Sequence, residues 1–295
     1  MGEPQNLETF ENARPKLLGI AYRILGSVAE AEDAVQDTFI KWMQADKGSI
    51  ENPDAWLTTI STRRCLDFLK SAHRTRVDYV GEWLPEPVQT TTGLDAEQQV
   101  ALASSLQVAF LLLLDRLSPK ERAAYLLREI FDVDYADVSK TLEISESACR
   151  KLVSRAKIHV QKDKSRHTTT AEKQRKLLDA FQGAVMSGDT FILEEILATD
   201  VQFVADHGGK ATSVSKILTG VAEISRFISR GLHRFWQDYE WVATEVNGLQ
   251  GFILKTQDTV CVSVAFEFDG DDCISEIFIM RNPDKLQRLG SVSIH

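Results

Sequence analysis

The chain has 295 residues, 43% of them hydrophobic, with 34 Lys and Arg against 43 Asp and Glu and a formal net charge of −9. That length allows two or three small domains with real cores, and no apolar run or N-terminal signal core points to a membrane or to export, so a cytoplasmic protein is expected. The four cysteines and six histidines show no metal-ligand spacing, which leaves Cys65, Cys149, Cys261 and Cys273 as buried free thiols and predicts no metal and no cofactor.

The charge is unevenly spread. Arg63 to Arg76 holds five basic residues against Asp67, and Arg150 to Arg166 holds seven against Asp163. An acidic chain with two local basic patches is compatible with nucleic acid only through those patches.

Residues 10–76 read as helices. Leu17, Leu18, Ala21, Ile24 and Leu25 make one apolar stripe. Ser27 and Glu30 form a capping box for AEDAVQDTFIKWM. There Ala31, Ala34, Val35, Phe39 and either Trp42 or Met43 face the core, while Glu30, Asp33 and Asp37 share an acidic face. Asn52 and Pro53 open the next helix, as cap and first position. Trp56, Ile60, Leu66 and Leu69 give it a buried side, and the Arg63 patch completes its far end.

Residues 77–97 carry two prolines, two glycines and a threonine run, the marks of a linker. Val80, Trp83 and Leu84 are costly to leave in water, so part of this linker docks. Residues 98–131 resume helix, with Leu106, Phe110, Leu113 and Leu114 on one side, and Ser118, Pro119 and Glu121 give a strong helix start. From Asp134 to Lys157 two short helices meet at a tight turn. Asp134 caps the first. Ser145 caps the second, on which Ala148, Leu152 and Ala156 face inward. Arg150, Lys151, Ser154, Arg155 and Lys157 cover the rest, a surface suited to the DNA major groove. The plain alternative is a helical hairpin with a solvated basic face. Glu143 holds a turn position often given to Gly, and is tolerated there if its φ stays negative.

Beyond Arg166 the polar HTTTAEK marks a boundary. Residues 171–187, 189–198 and 221–235 read as helices, and Val201–Ala205, Tyr239–Val246, Gln250–Thr256, Val260–Phe268 and Ile274–Met280 as strands. This is an α+β pattern, with helices on one face of a curved antiparallel sheet.

The segments AEDAVQDTFIKWM, NPDAWLTTISTRRCLDFLK and LDRLSPKERAAYLLRE, followed by the helix-turn-helix, together resemble the extracytoplasmic-function class of bacterial sigma factors. WLPEP (83–87), DHGGK (206–210) and NPDKL (282–286) resemble the subgroup with a fused SnoaL-like domain of the nuclear-transport-factor-two superfamily. That subgroup typically reads DGGGK, so His207 is a departure that bears on the backbone conformation there. The resemblance implies two all-α sigma domains, region 2 in residues 1–76 and region 4 in 105–166. They are joined by a linker over 77–104 and followed by a cone-shaped α+β SnoaL-like domain over 167–295.

It further implies a non-enzymatic transcription initiation factor whose partners are core RNA polymerase and promoter DNA. Asp33, Gln36 and Asp37 would grip polymerase, although the residues alone read as a solvated helix face. Arg63, Arg64, Lys70, Arg74 and Arg76 would serve the −10 element, with Trp56 as core rather than a stacking platform. Ser147, Arg150, Lys151, Ser154 and Arg155 would serve the −35 element. The third domain would replace a separate anti-sigma protein, with room for an unidentified small ligand.

In that domain Asp206, His207, Lys210, His233 and Trp236 are the polar candidates at a pocket mouth, where an Asp–His pair suits acid–base work. A contact role is preferred. Trp83, Leu84 and Pro85 would meet Asp206, His207, Gly208, Gly209 and Lys210 of the loop and Asn282, Pro283, Asp284, Lys285 and Leu286 of the tail. The other reading is a DNA-binding segment fused to a small-molecule enzyme or sensor.

Overall fold

The computed structural model describes residues 3–77, 79–89, 105–162, 169–287 and 289. Three helices come first: α1 (Glu3–Leu25), α2 (Val28–Gln44) and α3 (Pro53–Val77). Local chemistry sets their starts. The Ser27 side chain accepts from Glu30 N at the head of α2, and Asn52 Oδ1 accepts from Ala55 N at the head of α3. Leu17, Ala21, Ile24 and Leu25 of α1 are fully buried, as are Trp42 and Leu57. Trp42, not Met43, is the inward residue of α2, since Met43 is 40% exposed. Trp56 packs at the core edge against Trp42, ring centroids 5.6 Å apart.

Four more helices follow: α4 (Val108–Asp115), α5 (Pro119–Tyr125), α6 (Tyr135–Leu142) and α7 (Glu146–Lys162), with a π turn at Leu126–Ile130 after α5. The full capping box of Ser118 and Glu121 starts α5. Asp134 stands at the cap position of α6 but makes no capping bond. Its carboxylate lies toward Arg128 instead. One continuous apolar cluster joins α1–α3 to residues of α4–α7, from Phe10 through Leu114 and Leu142 to Val160.

The remainder is α8 (Ala171–Ser187), α9 (Leu193–Ile196), β1 (Leu197–Asp206), β2 (Leu218–Thr219), α10 (Val221–Phe227), a π turn, α11 (His233–Trp236), β3 (Glu240–Val246), β4 (Leu249–Thr256), β5 (Thr259–Phe268), β6 (Ile274–Met280) and α12 (Pro283–Leu286). The sheet order is β2-β1-β6-β5-β4-β3. It is mixed rather than purely antiparallel, because β1 runs parallel to β6. The helix expected over 189–198 shrinks to α9, since Leu197 and Ala198 already belong to β1. Strand β2 has too few residues to show alternation. Asn247 and Gly248, both at positive φ, close the β3–β4 hairpin.

The sheet is covered on both faces, not one. Helices α8 to α11 bury Phe181, Trp236, Phe252 and Phe266 against the concave face. On the opposite face Val204, Ala265, Phe278 and Met280 pack with Leu84, Leu286 and Val108. Helix α4, which precedes the helix-turn-helix, thus lies on the back of the C-terminal sheet. Of the cysteines, Cys65 and Cys149 are buried, whereas Cys261 and Cys273 are only half-buried. Phe278, 3% exposed, sits at the centre of this seam. Phe278→Ala should lower stability to denaturant by about 3–5 kcal/mol, read as a drop in the urea midpoint.

Candidate nucleic-acid interface

The second helix of the helix-turn-helix, α7, starts where Ser145 Oγ accepts from Ala148 N. Its buried stripe is Cys149, Val153, Ala156 and Val160. Of the expected stripe Ala156 is fully buried, whereas Ala148 and Leu152 sit at the edge and their neighbours Cys149 and Val153 go in instead. Ser147, Arg150, Lys151, Ser154 and Arg155 are all exposed. Arg150 is held back on its own surface, 2.5 Å from Glu146 and 4.2 Å above the Tyr135 ring centre. An exposed pair of this kind is weak and exchanges readily for a phosphate. Glu143 takes φ +53°, the left-handed conformation, so the turn does not keep a negative φ. Ile144 N donating to Ser139 O closes the turn.

The cations of α3 do not face solvent alone. Arg63 donates to Lys140 O (2.8 Å) and Thr141 O (3.0 Å) and pairs with Glu143 at 3.1 Å. Lys120 donates to Leu142 O (3.0 Å). Three carbonyls at the C-terminal end of α6 are thereby taken up by two cations, at the negative end of the helix dipole. Thr59 and Thr141 hydroxyls meet at 2.9 Å beside them. Arg64 pairs with Asp37 at 2.6 Å, and Lys70 with Asp67 at 2.9 Å. The side chains of Arg74 and Arg76 lie outside the described residues. Between α3 and α7 runs a cleft of about 620 Å³ with Lys70, Lys120, Lys151 and Arg155 on its walls.

On α2, Asp33 and Gln36 are exposed and Asp37 is half-buried by its pair with Arg64. Ile40 and Met43 extend the same surface, 46% and 40% exposed. That apolar continuation has an i, i+3, i+7 spacing from Asp33 through Gln36 to Ile40, and a reading confined to charge overlooks it.

Behind these surfaces the WLPEP, DHGGK and NPDKL segments meet. Asp206, fully buried, accepts from Tyr79 OH (2.6 Å), Leu84 N (2.9 Å) and Lys285 Nζ (2.7 Å). Lys285 also donates to Leu84 O (2.7 Å), and its ammonium sits 4.5 Å from the Trp83 ring centre. Asn282 donates to Tyr79 OH at 2.8 Å, and Lys210 pairs with Asp284. The Trp83 ring lies on Gly26, where a Cβ would come within 2.6 Å of it. Trp83 is half-buried, and Leu84 at 2% exposure is the deeper anchor, flanked by buried Pro85. His207 keeps an ordinary φ, and Gly208 (+55°) and Gly209 (+71°) carry the left-handed turn. Pro283 and Leu286 lie in α12, with Leu286 buried.

Three further residues, Glu86 of the WLPEP segment, Tyr22 and Asn247, join this cluster through partners far apart in the sequence. Glu86, 3% exposed, lies at the head of α2 and accepts from Val28 N (2.8 Å) and Ser27 Oγ (3.1 Å). Tyr22 OH donates to Glu86 O (2.7 Å) and accepts from Asn247 Nδ2 (2.9 Å). Asn247 also donates to Leu106 O and accepts from Val88 N, so one hairpin side chain touches α1, the linker and the approach to α4.

Among these candidates no Asp–His dyad forms. The Asp206 oxygens are committed to the linker, His207 Nδ1 accepts from Gly209 N (3.0 Å), and His233 Nδ1 meets Val185 O (3.0 Å). Of the five pocket candidates only Trp236 lines the cavity inside the C-terminal unit. No group of three potential metal ligands occurs among the described residues, and among them no helix is long and apolar enough to cross a membrane.

Glu267 and Glu276 stand directly opposite each other on β5 and β6, on the face that α4 covers. Burial first and the Glu276 charge second push the Glu267 carboxyl up to about 8, against the pull of a hydrogen bond from Ala109 N. A carboxyl raised in the folded state binds more protons there than in the unfolded chain, whose Glu titrates near 4.3 (approximately). Its contribution is complete below that value and is lost as pH rises through about 8. The urea midpoint of the wild type should therefore fall between mildly acidic and alkaline pH, and Glu267→Gln should flatten that fall. Equal slopes would remove Glu267 as the source.

The family described as Sigma-70 region 2 matches residues 9–75, and that described as Sigma-70, region 4 matches residues 107–160. ECF RNA polymerase sigma factor SigJ of Mycobacterium tuberculosis (strain ATCC 25618 / H37Rv) is 36% identical over 230 residues, 77% of this chain and 73% of that protein. The probable ECF RNA polymerase sigma factor SigI of the same strain is 31% identical over 186 residues, 62% of this chain and 64% of that protein. The crystal structure of M. tuberculosis extracytoplasmic function sigma factor SigJ superposes with a TM-score of 0.74 at 31% identity, covering 96% of this chain and 99% of that one. With both sigma regions matched and the C-terminal mixed-sheet unit included in that superposition, this chain belongs to the extracytoplasmic-function RNA polymerase sigma factors.

Proposed function

We propose that this sigma factor reads the −10 element with α3 and the −35 element with α7, and grips core RNA polymerase through the exposed face of α2. Its C-terminal SnoaL-like unit acts as a built-in regulator in place of a separate anti-sigma protein. It is not an enzyme: its Asp and His candidates serve turns and contacts. The observation that carries this reading is the internal use of Arg63. A cation suited to promoter phosphates caps α6 of the helix-turn-helix instead, while the C-terminal sheet bonds to both sides of the joint through Asn247. In this closed form α3 is tied to α6, the first helix of the helix-turn-helix, so that α3 and the helix-turn-helix cannot take independent positions on a duplex. Opening frees them, so the C-terminal unit is inhibitory.

The test is run-off transcription with core polymerase on a promoter selected in vitro. Lys285→Ala leaves the buried Asp206 carboxylate without its counter-charge, and breaking a buried pair in this way costs roughly 3–5 kcal/mol. The closed form loses that support, so transcription should rise several-fold and the scattering profile should expand. A looser profile with lower transcription would make the C-terminal unit a support for activity rather than an inhibitor. Asp33→Lys is the clean probe of the polymerase face, because Asp37 is already tied to Arg64. It should weaken polymerase binding at least about tenfold, or 1.4 kcal/mol, with unchanged thermal unfolding. Normal affinity would refute the assignment of that face.

Arg150→Ala separates two roles for α7. A base contact is worth about 1–3 kcal/mol of discrimination and its loss relaxes preference at one promoter position. A uniform loss across sequences would make it a phosphate contact.

A further inference from the structure

The C-terminal unit encloses a second feature that the transcription reading does not use. A cavity of about 140 Å³ lies between the concave side of the sheet and the helices α10 and α11. Its walls include Phe203, Phe227, Leu232, Trp236, Ile279 and Arg281. Five of these six are hydrocarbon or aromatic, and Trp236 is only 1% exposed. The exposed ring of Phe235 forms part of the lining and so stands at the mouth.

Four polar residues, Thr212, Ser213, Trp236 and Arg281, interrupt the apolar wall, and two of them carry buried donors without an acceptor. Trp236 Nε1 is buried with no hydrogen-bond partner among the described residues, and the same holds for Arg281 Nε. Arg281 spends Nη1 on Thr212 O (2.7 Å). Among the described residues no carboxylate pairs with it, although the surrounding chain is rich in acids. Indole and guanidinium nitrogens can only donate. Whatever completes this site must therefore bring acceptors, and beside a guanidinium a carboxylate makes the stronger, charge-assisted bonds. A buried donor left unmatched is a standing cost, and native proteins leave few of them.

The size limits the rest of the molecule. A cavity of roughly 150 Å³ lined by apolar side chains holds one benzene-sized group. Nucleotides and drug-sized molecules need pockets of about 300 Å³ or more. We propose that this cavity is a binding site for a small monocarboxylate with an apolar body, a phenyl ring or a short alkyl chain. The carboxylate sits against Arg281 Nε and Trp236 Nε1, and the hydrocarbon lies among Phe203, Phe227 and Ile279. Binding requires no chemistry and rests on none of the transcription assignments.

The test is calorimetric titration of the full chain with benzoate and hexanoate, each beside its neutral counterpart, benzyl alcohol and 1-hexanol. At least one acid should bind saturably at one site per chain, at least about tenfold tighter than its alcohol. Arg281→Met should bring the acid down to the alcohol's level. Because that variant could unfold, the indole N–H resonance of Trp236, assigned with Trp236→Phe, supplies a readout on the wild type. It should shift on adding the acid and stay in place on adding the alcohol. No acid binding up to about 10 mM, equal affinity for acid and alcohol, or an unmoved Trp236 resonance would each overturn the proposal.

Discussion

The arrangement depends on one buried carboxylate. Asp206 ends β1, where the strand would otherwise run into solvent, and it is fully covered. A charge in that position is tolerable only if matched, and it has three donors: Tyr79 OH, Leu84 N and Lys285 Nζ. Two belong to the linker and the third to α12. The linker between Tyr79 and Gln89 has no regular structure of its own, so its backbone groups must be satisfied by others. Leu84 N and O go to Asp206 and Lys285, Glu86 N goes to Gly26 O, and Val88 pairs with Asn247. The linker is thus held at Tyr79 and at alternate residues from Leu84 to Val88 by bonds to other segments.

The helical half shows the same economy of donors. A sigma surface needs cations for phosphates, yet the chain is acidic overall, with a net charge of −9. Arg63 and Lys120 meet helix carbonyls, Arg64 meets Asp37, and Arg150 meets Glu146. In the proposed DNA reading, the internal partners of Arg63, Arg64 and Arg150 would compete with DNA for the same cations. The competition is unequal. Arg150 and Glu146 are an exposed pair worth a few tenths of a kcal/mol (approximately). Arg63 serves two carbonyls and a carboxylate at once, and freeing it exposes the end of α6. The Arg150 side chain is therefore easier to free than the joint between α3 and α6, and in the proposed mechanism a change acting on that joint would have the greater effect on promoter access.

Much of this was legible in the sequence wherever the signal is local. Ser27, Asn52, Ser118 and Ser145 start helices because a hydroxyl or amide at a helix head has one obvious partner. The strands of the C-terminal unit follow from alternation. The parallel pairing of β1 with β6 does not, because it is fixed by where the chain returns after four strands. The back of the sheet was missed for a related reason. Val204, Ala265 and Phe278 alternate correctly with the concave face, but their partner Val108 lies far away in the chain. Glu86 and Asn247 look like linker and turn residues, and their roles exist only once three segments converge. On α7 Ala156 is buried as expected and Leu152 packs at the core edge, while Cys149 and Val153, adjacent to the expected Ala148 and Leu152, go deepest.

The DHGGK segment shows how such a cluster absorbs a change. A Gly at 207 could take a positive φ, but the turn does not ask for one there. Gly208 and Gly209 supply both left-handed residues, and a Cβ at Gly208 would come within 2.3 Å of Asn282. The constraint thus falls on the two glycines that the segment retains. His207 instead needs room for its ring, and the room comes from the linker. Gly81, at φ +87°, lies where a Cβ would come within 2.7 Å of His207 Nε2. The ring occupies space that a side chain at 81 would claim. Position 207 and position 81 are therefore coupled through contact: a larger residue at 81 is compatible only with a smaller one at 207. The loop of the C-terminal unit and the linker specify each other's side chains.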